Sequence, residues 1–258
     1  METGFTFKAK KMKVIGIIPA RFASSRFPGK PLIDIAGKSM IQRVYEQVKN
    51  ASCLHEVIVA TDDERIAEHV RSFAGNVAMT SSAHQSGTDR CAEVVSKISG
   101  FDIAINIQGD EPFINPLQIE LLTSCFNKEE TQIATLVKKI HTTDELFNVN
   151  IPKVVRNIHE QAIYFSRQTI PYLRGVEQEH WLSKHSFYKH IGIYGYRTAI
   201  LKELTQLPIG ALEETEALEQ LRWIEHGFTI QTAETEHETI AVDTKEDLER
   251  IIQTYFTS

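Results

Sequence analysis

Short apolar runs recur through the first half of the chain, each bounded by polar or turn-forming residues. "KVIGII" (13–18), "EVIVAT" (56–61), "NVAMT" (76–80) and "DIAINIQ" (102–108) are too short for helices and predict buried strands. Between them the period changes. Met40, Val44 and Val48 recur every fourth residue, Ile66 and Val70 repeat that spacing, and Cys91, Val94, Val95 and Ile98 continue it. These are helix faces. Asn115 ahead of Pro116 supplies an N-cap and a first-turn proline for another helix. The βαβα order predicts a Rossmann-like α/β fold, a mostly parallel sheet covered on both sides.

The second half is less regular. "TQIATLVKKI" (131–140), "PKVVRN" (152–157), "AIYFSR" (162–167) and "HIGIYGYRT" (190–198) predict strands, and the polar stretch 174–187, with Gly175, predicts a mobile loop. Residues 212–226 predict one continuous helix. "TIAVD" (239–243) predicts a strand, and Thr244 with Asp247 three residues on predicts a capping box that opens the last helix. No repeat, low-complexity tract or linker divides the chain, so the second half is expected to insert into or extend the first sheet.

Composition narrows the function. The 258 residues are 42% hydrophobic and 24% charged, enough for a substantial core in one large or two closely joined domains. A formal charge of −6 argues against a general nucleic-acid or membrane-surface binder. Cys53, Cys91 and Cys125 are widely spaced, with no CxxC and no metal-type cluster. That usage argues against a zinc site and for a reduced, cytoplasmic chain. Lys8, Lys10, Lys11 and Lys13 before "VIGIIPA" imitate a signal peptide. The apolar run is short, however, and meets Arg21 without a cleavage site, so export is not expected and residues 1–11 read as a disordered extension. No apolar stretch approaches the ~20 residues of a membrane span.

Against the acidic background, "VIGIIPARFASSRFPGKPL" (14–32) is anomalous. Arg21, Arg26 and Lys30 follow a buried strand with no acidic residue among them. Ligands of open α/β sheets bind beyond the carboxyl ends of the strands. The loop has neither GxGxxG nor a Walker A sequence, since Pro31 follows Lys30. Arginine pairs with phosphate oxygens in a bidentate fork, and lysine acts as a point charge. At an effective dielectric near 20 each cation attracts a phosphate charge 4 Å away by about 4 kcal/mol before desolvation. Three cations with Ser24 and Ser25 suit a polyphosphate, and a solvated loop paired with acidic neighbours remains the alternative.

Further positions carry candidate chemistry. Asp110 in "IQGDEP" and Asp243 at the end of "TIAVD" bring hard oxygens to two strand ends, a pairing that suits Mg²⁺ completed by substrate phosphates. A turn role for Asp110 and a helix-capping role for Asp243 stay open. "HQSGTDR" (84–90) joins a strand to a helix with Thr88 as the expected cap, and its Gln85–Ser86–Gly87 backbone can approach a base or ribose. Asp62 and Asp63 read as helix-start residues. Glu216 and Gln220 are one turn apart in the expected helix and share a face, which by itself suits solvent as well as a sugar.

"IIPARFASSRFPGKPL" resembles the signature loop of sugar-activating nucleotidylyltransferases. More narrowly, residues 12–252 resemble the 3-deoxy-manno-octulosonate cytidylyltransferases through "VATDD", "HQSGTDR", "NIQGDEP", "YFSRQTIPY", "HIGIYGYR", "EALEQLR" and "AVDTKEDLE". The resemblance implies a fold of the nucleotide-diphospho-sugar transferase type, one domain over 12–258. Its nucleotide-binding half would cover 12–130, and a mixed α/β sugar-binding and dimerisation half would cover 131–258. It implies transfer of CMP from CTP to the sugar acid 3-deoxy-D-manno-octulosonate (KDO), releasing pyrophosphate, for lipopolysaccharide biosynthesis in a cytoplasmic homodimer. Arg21, Lys30 and Asp110 would be catalytic, and Arg21, Arg26, Lys30, Gln85, Ser86, Gly87 and Thr88 would bind nucleotide. Gln108, Arg167, His190, Tyr194, Glu216 and Gln220 would bind sugar, and Asp110 and Asp243 would hold Mg²⁺. A CMP-sialic acid synthetase, a UTP-dependent sugar-phosphate enzyme and a non-catalytic nucleotide- or sugar-binding regulator are the rival expectations.

Overall fold

The apolar runs become the centre of one nine-stranded sheet in the computed structural model, which describes residues 12–23, 27–238 and 240–256. The extension read from residues 1–11 lies outside them, as do Ser24, Ser25 and Arg26 of the basic loop. The strands are β1 (Val14–Ala20), β2 (Asp34–Ile35), β3 (Lys38–Ser39), β4 (Glu56–Thr61), β5 (Val77–Met79) and β6 (Ile103–Asn106). There follow β7 (Ile133–Lys139), β8 (Lys153–Arg156), β9 (Ala162–Ser166), β10 (Tyr188–Arg197) and β11 (Ile230–Glu234). The helices are α1 (Met40–Lys49), α2 (Glu64–Ser72), α3 (Gly87–Lys97), α4 (Pro116–Ser124) and α5 (Thr143–Phe147). Next come α6 (Trp181–Lys184), α7 (Thr198–Leu204), α8 (Ala211–Glu216), α9 (Gln220–Glu225) and α10 (Lys245–Phe256).

Across the sheet the order is β11-β7-β10-β6-β1-β4-β5, with β8 paired to β10 and β9 to β8, while β2 and β3 form a separate ribbon. β1 runs parallel to both β4 and β6. β10 is antiparallel to both β6 and β7, so the second half of the chain extends the sheet of the first. Alternation along β1 sends Val14 and Ile18 to one core, with α1, α2 and α4, and Ile15 and Ile17 to the other, with α3, α7 and α9. Because the chain passes from β1 to β4 and β5 and then returns to the opposite side of β1 as β6, a crevice opens at the carboxyl ends of β1 and β6.

Three expectations change. The stretch 174–187 holds a 3-10 turn (Gln178–His180) and α6, because Trp181 buries itself with Ile140, Leu146 and Phe187. The helix expected over 212–226 breaks into α8 and α9 at Ala217, which takes the left-handed conformation at φ 50°, ψ 50°. The segment Ile240–Asp243 forms no strand; the Val242 amide instead donates to the Asp110 carbonyl at 2.9 Å. No helix among the described residues is long and apolar enough to cross a membrane.

Candidate active site

A cleft of about 280 Å³ opens at that switch point. Pro19, Ala20 and Arg21 line it from the end of β1, Gly109 and Asp110 from beyond β6, and Gln85, Ser86 and Gly87 from the start of α3. The packing that closes its floor is tight. A Cβ on Gly109 would lie 2.6 Å from the Pro19 carbonyl oxygen, so only glycine permits this approach. Gly29, at φ 73°, turns the basic loop into a short 3-10 turn with Pro31 buried, and this aims Lys30 into the cleft. Arg21 lies exposed at the mouth.

Lys30 Nζ donates to Asp110 Oδ2 at 2.8 Å and to Asp243 Oδ1 at 3.1 Å. The two carboxylates therefore converge from distant parts of the chain. The capping bonds at the start of α10 run between Thr244 and Asp247: the Asp247 amide donates to Thr244 Oγ1 and the Thr244 amide to Asp247 Oδ2. Asp243 stands one residue before the cap with its carboxylate on Lys30. No group of three or more His, Cys, Asp or Glu able to hold a metal occurs among the described residues. Two converging hard oxygens that already face a cation nevertheless fit Mg²⁺, an ion that relies on one or two carboxylates plus water and phosphate.

Ser86, rather than Thr88, caps α3. Its Oγ accepts from the Asp89 amide at 3.1 Å, and Asp89 Oδ2 accepts in return from the Ser86 and Gln85 amides. Thr88 is 2% exposed and does not line the cleft; its hydroxyl donates to Glu219 Oε2 at 3.1 Å. Two further residues of the "HQSGTDR" segment line the cleft. Arg90, 4% exposed, donates to Thr80 Oγ1 at 2.7 Å and pairs with Asp62 at 3.2 Å. His84 contacts Glu93, whose carboxyl is held down to about 2 by hydrogen bonds from Lys97, the Ser81 amide and His84. Their signal was a position in or just before the first turn of a helix whose start faces the crevice.

Gln108 links the cleft to the sheet's second half by donating to the Gly192 carbonyl at 2.9 Å. Gly192 sits in an irregularity of β10 between Ile191 and Tyr194. His190 Nε2 meets Thr135 Oγ1 at 3.0 Å, and burial pushes the imidazole down to about 4, so it is neutral at pH 7. Tyr194 is buried, and burial followed by the nearby Glu219 carboxylate drives its phenol well above the ordinary value. Its ring meets Trp223 edge-on at 5.2 Å. Around it, Gln220 Nε2 and Trp223 Nε1 are buried without a hydrogen-bond partner among the described residues. A buried donor of this kind calls for an oxygen acceptor.

Glu216 and Gln220 do not share a helix face, because the break at Ala217 separates them. The Glu216 carboxylate accepts instead from Ser166 Oγ at 2.6 Å and from the Arg167 amide at 2.9 Å. Glu219 is the acidic residue that reaches Tyr194 and Thr88, and burial raises its carboxyl pKa. Arg167 donates through Nε to the Glu216 carbonyl at 2.7 Å and through its terminal nitrogens to the carbonyls of Val149 and Ala217 at 3.3 Å.

The family model described as Cytidylyltransferase matches residues 15–240. A 3-deoxy-manno-octulosonate cytidylyltransferase from Parabacteroides distasonis is 58% identical over 246 residues, covering 93% of this chain and 97% of that protein. The solved structure of a CMP:2-keto-3-deoxy-manno-octonic acid synthetase complexed with CTP superimposes with a TM-score of 0.87 at 43% identity, covering 94% of this chain and 98% of that one. The structure of 4-diphosphocytidyl-2C-methyl-D-erythritol synthase from Anaerococcus prevotii, at 11% identity and a TM-score of 0.62 over 96% of this chain and all (100%) of that one, shares the fold. The chain belongs to the cytidylyltransferase family, among the 3-deoxy-manno-octulosonate cytidylyltransferases.

Proposed function

We propose that the protein transfers CMP from CTP to KDO, giving CMP-KDO and pyrophosphate for lipopolysaccharide biosynthesis. The observation that carries this reading is the convergence of Lys30, Asp110 and Asp243 beneath the Gln85–Gly87 backbone at the sheet's switch point. Triphosphate lies along the cleft, with Arg21 and Lys30 offsetting its charge. The sugar's anomeric hydroxyl attacks the α-phosphorus in line, and pyrophosphate leaves. Arg167 receives the sugar carboxylate in exchange for neutral backbone carbonyls, a favourable trade for a guanidinium. Neutral His190, Tyr194, Gln108, Glu219 and Gln220 offer donors and acceptors to the remaining oxygens. Asp110 and Asp243 would hold Mg²⁺, which supplies charge stabilisation at the reacting phosphate and acidifies the attacking hydroxyl. Among the described residues no side chain stands out as a general base, so positioning and electrostatics carry the acceleration.

Large apolar side chains exposed on and beside the β8–β9 hairpin, Ile158 and Ile163, support a homodimer, and the free cysteines suit the cytoplasm. The decisive experiment measures pyrophosphate release with each of the four nucleoside triphosphates, with and without KDO. Release that requires both CTP and KDO is expected. Release with sialic acid in place of KDO, or none with any pair, overturns the reading.

A further inference from the structure

Lys153 has no exposed surface, yet among the described residues its ammonium has no carboxylate within ion-pair distance. Nζ donates instead to three backbone carbonyls: Asn148 at 2.8 Å, Ile151 at 2.9 Å and Arg167 at 2.8 Å. Three donors meet three acceptors, so the group is saturated. Burying a charge with only neutral partners is costly, and it persists where the geometry it enforces is needed.

That geometry centres on Arg167. Its C=O is held by the Lys153 ammonium, and its N–H is held by the Glu216 carboxylate. Both main-chain polar groups of one residue are therefore fixed by charged side chains of opposite sign. The other Glu216 oxygen ties down Ser166, the preceding residue. The loop that Lys153 gathers, 148–151, includes the Val149 carbonyl on which one guanidinium nitrogen rests. Among the described residues the guanidinium itself touches only neutral acceptors. Its base is rigid and its head is exchangeable.

We infer that Lys153 and Glu216 are positioning residues that fix the backbone of Arg167 so that its guanidinium can be handed from backbone carbonyls to the carboxylate of the sugar acid. The inference rests on the KDO reading for the identity of that carboxylate; the claim about Arg167 does not. Glu216 thereby moves from a sugar contact to a support.

Steady-state kinetics and hydrogen exchange test the two parts separately. Glu216→Ala raises the KM for KDO about tenfold or more, with kcat and the KM for CTP within about threefold of wild type. Glu216→Gln, whose amide oxygen can face the Arg167 N–H and whose NH₂ can face Ser166 Oγ, restores the KM to within about threefold. In an Arg167→Ala background the further change Glu216→Ala adds less than about twofold, because the residue acts through Arg167. Independently of any substrate, the Arg167 amide exchanges at least about tenfold faster in Glu216→Ala than in wild type. Lys153→Met shows the same KM split if it folds; the Glu216 series decides the matter if it does not. Additive effects with Arg167→Ala, or unchanged protection of the Arg167 amide, overturn the inference. Absence of KDO turnover by wild type overturns the substrate reading alone, and the exchange measurement still judges the positioning.

Discussion

Between Asp110 and Asp243 a single ammonium serves two carboxylates, and the surrounding bonds separate roles that the sequence left entangled. Capping at α10 belongs to Thr244 and Asp247, so Asp243→Asn keeps the helix start intact. We expect it to lower turnover at least a hundredfold, about 2.7 kcal/mol of transition-state stabilisation, with the melting temperature within a few degrees of wild type. Magnesium titration of the variant should move to higher concentration. Lys30→Ala should cost about 2–4 kcal/mol in turnover at saturating CTP, read from kcat, while KDO binding changes little. His190 gives a pH signature. Its folded pKa of about 4 lies below the ordinary 6.5, so between those values the unfolded chain binds the extra proton. Stability therefore falls as pH drops through that window, by about 3 kcal/mol at most, and is unaffected by this group above it. Denaturation of His190→Asn between pH 7 and 4 should show a shallower acid-side decline than wild type.

At the level of elements, the strands of the first half were legible because both faces of β1, β4 and β6 are buried and apolar residues fill them. The kinked helix was not. "LEETEALEQLR" contains strong helix formers apart from Thr215, with neither glycine nor proline to announce a break. The break is tertiary: Arg167 captures the carbonyls of Glu216 and Ala217, which a continuous helix would need for itself. It also separates Glu216 from Gln220, so the shared face expected of one continuous helix does not form. The strand expected at "TIAVD" failed for a related reason. Its polar backbone is satisfied in part by Asp110 rather than by a neighbouring strand. The left-handed residue gives a clean test. Ala217→Gly removes a Cβ penalty of about 1 kcal/mol, so the variant should be slightly more heat-stable with unchanged kinetics. A lower melting temperature would mean that the glycine's added freedom in the unfolded chain outweighs the relief.

Across the molecule, α10 docks through aromatic contacts with Phe113, three residues beyond Asp110. Phe113 stacks on Tyr255 at 3.9 Å, and Arg43 lies 4.7 Å from the Phe256 ring. Beneath them Val242 and Ile251 pack with Ile35 and Met40. Replacing Phe113 by alanine should loosen the segment that carries Asp243, raising the magnesium concentration for half-maximal activity severalfold while the KM for KDO holds. The exposed apolar side chains of the β8–β9 hairpin lead to a second whole-molecule expectation: Ile158→Asp should shift the sedimentation of the protein toward monomer. A remaining consequence lies in β10, which hydrogen-bonds to β6 on one side and β7 on the other and so stitches the strands beneath the cleft to those of the second half. Two rigid lobes hinging about a linker are incompatible with such a seam. Heat should melt the chain in one calorimetric transition, and CTP alone should slow amide exchange in β7 and β10 as well as in β1, because β10 ties those strands into one sheet.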